Sequence, residues 1–154
     1  MNTLADRFGK QGVGSIFLYT HEAHPGENYP HLRSMEQKAA HARALRDVFG
    51  EARPIFLDAL DGACHRAYGS MPNMTWIFNR TGRPVYKAAW TDAHSVENAL
   101  EYLSEIAARR REGVRLVPVQ VERMDYRTSD QEGFYRGLER NGPKAVQEFH
   151  DAFS

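Results

Sequence analysis

Along the first half of the chain, short unbroken apolar runs alternate with stretches in which apolar residues recur every third or fourth position. "SIFLYT" (15–20) and "RPIFLDAL" (53–60) are runs of the first kind, rich in β-formers, and read as strands covered on both faces. Between them Ser34 and Gln37 form an S-x-x-Q capping box. Met35, Ala39, Ala42 and Phe49 then share one stripe of a helix that Gly50 ends. "GACHRAYG" (62–69) reads as a short helix or turn. "MTWIFN" and "PVYKAA" flank Arg80-Thr81-Gly82-Arg83, a hairpin signal, and Trp76 and Phe78 mark one face of the first strand as core. From Asp92, an N-cap residue, Val96, Leu100, Leu103 and Ala107 repeat at helical spacing as far as "RRR" and Gly113. Beyond it "VRLVPVQVE" reads as one more strand, with Pro118 favouring an edge or strand end. Two amphipathic helices follow, one opened by a Ser129-to-Glu132 capping box and one from "NGPKAVQEF" with Val146, Phe149 and Phe153.

Strand, helix, strand, short helix, hairpin, helix is a βαβ unit feeding a ββα unit, with a parallel start and an antiparallel edge. The fold expected from this order is α/β: a thioredoxin-like mixed sheet flanked by helices, its N-terminal βα unit truncated, with a C-terminal strand and helical extension. Residues 1–112 form the thioredoxin-like domain. Residues 113–154 form an extension that, with no linker or low-complexity stretch before it, packs on the same domain.

Composition narrows the function classes. With 154 residues and 42% apolar content, the chain is one domain's worth of core. Twenty basic residues cancel twenty acidic ones, so charge argues for neither nucleic acid nor an anionic membrane surface as partner. No apolar stretch approaches the roughly 20 residues of a membrane helix, and "MNTLADRFGKQGVG" lacks the apolar segment of a signal peptide, which predicts a cytoplasmic protein. A single cysteine, Cys64, excludes an internal disulfide framework, CxxC chemistry and cysteine-rich zinc sites.

The chemistry-bearing stretch is "THEAHPGENYP" (20–30), at the end of the first strand. If the strand's alternation continues, Glu22 and His24 emerge on the same side, a carboxylate beside an imidazole, which is how histidine is prepared for proton transfer. His21 points the other way and reads as a surface or supporting histidine. His21, Glu22 and His24 miss the H-E-x-x-H spacing by one and lie on a strand, so no metal site is expected. Asp58 ends the second strand, where the carboxyl ends of parallel strands gather an active site, and it equally suits capping the turn that follows. Cys64 reads either as a resolving thiol or as a small buried residue among alanines.

"IFLYTHEAHPGENYP" is similar to the strand of the iodothyronine deiodinases that ends in Glu-Ala-His before a proline-containing loop. "RSMEQKAAHARAL", "IFLDALDGACHRAYGSMP" and "WIFNRTGRPVYK" resemble that family's following helix, aspartate-bearing strand with its tyrosine-glycine turn, and hairpin, so the likeness covers roughly residues 13 to 106. Leu32, Asn73 and "AAWTDAH" depart from the family's pattern at positions that bear on hormone binding, which leaves another halogenated or oxidised substrate open. The resemblance implies a thioredoxin fold working by selenol or thiol chemistry, with Glu22 and His24 as the proton-transferring residues. It also implies that Pro72 is cis and that Met71 and Pro72 present backbone to the substrate. No cofactor is implied beyond an external thiol reductant.

In that family the nucleophile, selenocysteine or cysteine, lies one βα unit upstream, and "MNTLADRF" looks like the body of the helix that follows it. Two readings result. In one, the chain belongs to an oxidoreductase whose nucleophile precedes Met1, read through an in-frame stop codon. In the other, it is a catalytically inactive thioredoxin-like binding or regulatory module. A missing first strand would leave an exposed edge beside "SIFLYT", which predicts aggregation or a homodimer unless "VRLVPVQVE" covers it.

Overall fold

The structure is a computed structural model in which residues 1–115 and 130–153 are described. The chain opens with α1 (Asn2–Gly9), whose Leu4 and Phe8 are buried against Val96 and Leu100 of α4 (Ala93–Arg111). Met1, Val13, Ile77 and Tyr86 close this cluster, the main apolar core among the described residues. The spacing of Leu4 and Phe8 puts both on one helix face, as does that of Val96 and Leu100. Arg7 of α1 reaches across to Glu97 and Glu101 of α4, exposed ion pairs that orient the two helices and stabilise them little.

Among the described residues four short strands form two separate two-stranded sheets. β1 (Phe17–Tyr19) runs parallel to β2 (Ile55–Leu57), with Phe17 opposite Ile55 and Tyr19 opposite Leu57. β3 (Thr75–Phe78) pairs antiparallel with β4 (Pro84–Ala88), with Thr75 opposite Ala88 and an irregularity between Ile77 and Phe78. α2 (Met35–Asp47) is the crossover between β1 and β2, and α3 (Ala63–Tyr68) leads from β2 towards the hairpin. After the segment 116–129, α5 (Gln131–Asn141) and α6 (Pro143–Phe153) pack on each other as a helical hairpin.

Local signals set most of these boundaries. Ser34 accepts from the Gln37 amide and Gln37 Oε1 from the Arg33 amide, a capping box read one position early at its return arm. Asp92 accepts from the Ser95 amide and opens α4. Asn79 folds the hairpin turn by accepting from Thr81 and Arg83 amides, and Gly82 supplies the positive φ of 78° the turn needs.

Several expectations are corrected. The two apolar runs are neither long strands nor covered on both faces: Ile16 is 58% exposed and Phe56 55%, because each two-stranded sheet leaves an edge and part of a face unpacked. The buried side of α2 carries Lys38 and Ala42, while Met35 and Phe49 are exposed. The core face of β3 is that of Ile77, which meets α1 and α4. Trp76 and Phe78 lie on its other face, stacked on each other and against Tyr68, with Phe78 43% exposed. α5 is capped by Asp130, which accepts from the Gly133 amide. Ser129 and residues 116–122 of the expected C-terminal strand lie outside the described residues.

Candidate functional site

β1 stops at Tyr19, and a polar cluster forms just beyond it. The Tyr19 hydroxyl donates to Glu22 Oε1. His41 Nδ1, from the inner side of α2, stands 2.9 Å from the same oxygen and 3.5 Å from the Tyr19 hydroxyl. The Tyr29 ring meets His41 edge-on at 5.3 Å and fixes its plane. The Glu22 side chain is 18% exposed and that of His41 9%. Burial holds the Glu22 carboxyl above the usual carboxylate range, with the bond to and charge of His41 pulling the other way. A carboxyl that keeps its proton to higher pH beside an imidazole and a phenol is a group prepared to pass that proton on.

The expected carboxylate–imidazole pair therefore exists with His41 in the place assigned to His24. Strand alternation carries only as far as the extended backbone, and the chain bends at Ala23 and His24. His24 instead meets Phe149 at 5.4 Å and Phe134 at 6.1 Å, both edge-on. Burial there lowers its pKa, opposed by the charge of Glu148. Tyr19 and His41 were missed for a plain reason: a tyrosine in an apolar run and a histidine in a helix full of charged residues carry no periodic signal of their own.

A second group of polar residues lies at the carboxyl ends of β1 and β2. Asp58 is buried, its two carboxylate oxygens accepting from the Cys64 and His65 amides at 3.0 and 2.9 Å. Burial alone would raise its pKa, but these amides, that of Ala59 and the charge of Lys38 outweigh it, and the pKa falls. Of the two roles read for Asp58, it fills the capping one. Lys38 is fully buried and donates to the Ala59 carbonyl; burial lowers its pKa against the opposing charges of Asp58 and Asp61. Cys64 is half-buried, its amide held by Asp58.

His65 links this group to the Met71–Pro72 segment. Its Nε2 lies 2.7 Å from the Met71 carbonyl; a carbonyl only accepts, so Nε2 carries the proton. The His21 ring lies 5.0 Å from that of His65. Both line a cleft of about 280 Å³ with Thr20, Leu60, Arg66 and Ser70. Burial, then the charges of His65 and Lys38, lower the pKa of His21. The Met71–Pro72 peptide is trans, which corrects the cis expectation. Trans is the cheaper form by about 0.5–1 kcal/mol, and Ser70, at φ 62°, makes the turn instead. Met71 and Pro72 are exposed beside this cleft.

Among the described residues no group of three or more His, Cys, Asp or Glu side chains is placed to hold a metal ion, and no helix is long and apolar enough to cross a membrane. Comparison of the chain with models of protein families, with curated proteins and with solved structures gives no match.

Proposed function

We propose that this chain is the larger part of a thioredoxin-like, deiodinase-like oxidoreductase, its nucleophile a selenocysteine or cysteine contributed by polypeptide preceding Met1. The observation that carries the reading is the Tyr19–Glu22–His41 cluster, which gathers a half-buried carboxyl, its pKa raised by burial, beyond the carboxyl end of a parallel strand. The strand pairing supports it. Among the described residues β1 pairs with β2 and β3 with β4, so one edge of β1 and one of β3 have no strand beside them. The nucleophile-bearing strand that the deiodinase resemblance implies would have these edges to pair with.

The chemistry is a reductive displacement. An upstream selenolate or thiolate attacks the halogen of a carbon–halogen bond and forms a chalcogen–halogen bond, while the bonding pair stays on carbon and takes a proton delivered through Glu22. A first external thiol displaces halide, with loss of its proton, and leaves a mixed disulfide or selenenyl sulfide. A second releases the nucleophile and departs as disulfide. Glu22 is the proton-transferring residue, held by His41 and Tyr19, while His24, paired with it in the sequence reading, stands among Phe134 and Phe149. Met71 and Pro72, held by His65, border the substrate. Reset by thiol suits a reducing, cytoplasmic compartment.

The test is thiol-dependent halide release from iodinated phenols by a chain extended upstream to include the nucleophile. Turnover is expected in the extended chain, absent from the 154-residue chain and reduced about 100-fold or more by Glu22→Gln. Turnover by the 154-residue chain alone, or an extended chain indifferent to Glu22→Gln, overturns the assignment.

A further inference from the structure

The loop 24–29, which carries His24, is held by the C-terminal helical hairpin. Asn141, the last residue of α5, is buried and bonds the loop at three points. Its Nδ2 donates to the His24 carbonyl at 2.7 Å, its Oδ1 accepts from the Tyr29 amide at 2.7 Å, and its carbonyl accepts from the Asn28 amide at 3.2 Å. Asn28 Nδ2 donates to the Arg140 carbonyl at 2.8 Å. The Glu27 carboxylate accepts from the Lys144 amide in the first turn of α6. The His24 ring is enclosed by Phe134 of α5 and Phe149 of α6, which also meet each other at 4.9 Å. Pro25 and Gly26 are buried beneath this contact, and a Cβ built on Gly26 would stand 2.5 Å from the Asn141 carbonyl oxygen.

Two features make this more than packing. The side-chain amide of one asparagine satisfies a donor and an acceptor of the loop backbone at once, so the loop's path is dictated from a segment more than a hundred residues away in sequence. The same contact carries His24 into an aromatic enclosure while Glu22, two residues earlier, is engaged by His41. A neutral imidazole suits that enclosure.

We propose that α5–α6 is a strap with Asn141 as its buckle, and that it sets the position of His24. Closed, as in this structure, it keeps the imidazole among Phe134 and Phe149. Displaced, it frees the loop to carry His24 towards Glu22. What that movement serves, admission of His24 to the proton-transfer site, rests on the oxidoreductase reading; the strap itself does not.

The test uses the full chain and two readouts independent of turnover: amide hydrogen exchange resolved at Asn28 and Tyr29, and NMR titration of the His24 imidazole. Asn141→Ala is expected to speed exchange at both amides about tenfold or more, and to raise the His24 pKa towards the ordinary histidine value, while protection in α4 and the β3–β4 hairpin is kept. Should Asn141→Ala also lose α4 protection, Gly26→Ala, which pushes the loop off the Asn141 carbonyl without altering the sequence of either helix, is the deciding variant and is expected to give the same pair of changes. Unchanged exchange at Asn28 and Tyr29, or a His24 titration that stays where it is in the parent chain, overturns the strap. That result leaves the oxidoreductase reading standing, and failure of turnover in an extended chain leaves the strap standing.

Discussion

His24 and Glu22 respond to pH in opposite senses, and the sign follows from where each is buried. His24 and His21 have pKa values lowered from 6.5, so the unfolded chain takes up protons more readily than the folded one. Their contribution to stability is complete above 6.5 and is lost as pH falls through their lowered values. Glu22, raised from 4.5 by burial, contributes below 4.5 and loses that contribution as pH rises through its raised value. Urea unfolding at about pH 7.5 and about pH 5.5 is therefore expected to show a drop in stability that His24→Gln makes smaller; an unaltered drop would show that His24 is not shielded from water. Asp58 offers a harder test. Asp58→Ala strands the Cys64 and His65 amides and leaves Lys38 buried without the carboxylate whose charge supports it most, which is expected to cost about 3–5 kcal/mol in the same measurement. That Glu22 stands beside an imidazole could be read from the sequence because acid and imidazole stand together there. Its partner could not, because a turn decides which imidazole comes within reach, and alternation says nothing once the strand has ended.

Helices and turns were the legible elements. Ser34, Asp92 and the Asn79–Gly82 turn act through bonds spanning two to four residues, so their signals are complete within a short window of sequence. Ser34→Ala and Asp92→Ala are each expected to cost about 1 kcal/mol of stability, followed by thermal unfolding. A loss in the Asp92 variant has further to travel, since α4 carries half of the α1–α4 core. Faces were less legible than spans. α2 turns Lys38 inward because Ala59 and the nearby Asp58 receive its ammonium group, and a hydrophobic stripe cannot anticipate a buried cation. β3 presents Ile77 to α1 and α4 and leaves Trp76 and Phe78 to Tyr68 and the Lys87 ammonium. Both faces of that strand are apolar, so the sequence offers two equal choices and tertiary packing makes the selection.

At the scale of the whole molecule, the described residues form two small sheets that share no ladder. A mixed α/β chain was legible from the order of elements; the division into two sheets was not, because strand pairing is a property of neighbours in space. Exposed Ile16, Phe56, Phe78 and Val85 accompany strand edges that have no partner among the described residues, and such edges invite pairing with another chain. The 154-residue chain is expected to self-associate, seen as an apparent mass in sedimentation velocity that rises with concentration, whereas a single monomeric boundary throughout would mean the edges are covered. The measurement that bears most directly on the central proposal, that a strand and its reactive chalcogen precede Met1, is the nucleotide sequence immediately preceding the Met1 codon. An open frame containing a cysteine or in-frame UGA codon, with an apolar run of β-formers before it, is the predicted result. A frame closed by an ordinary stop, or one bearing neither, contradicts the proposal and leaves the inactive binding module as the reading of this chain.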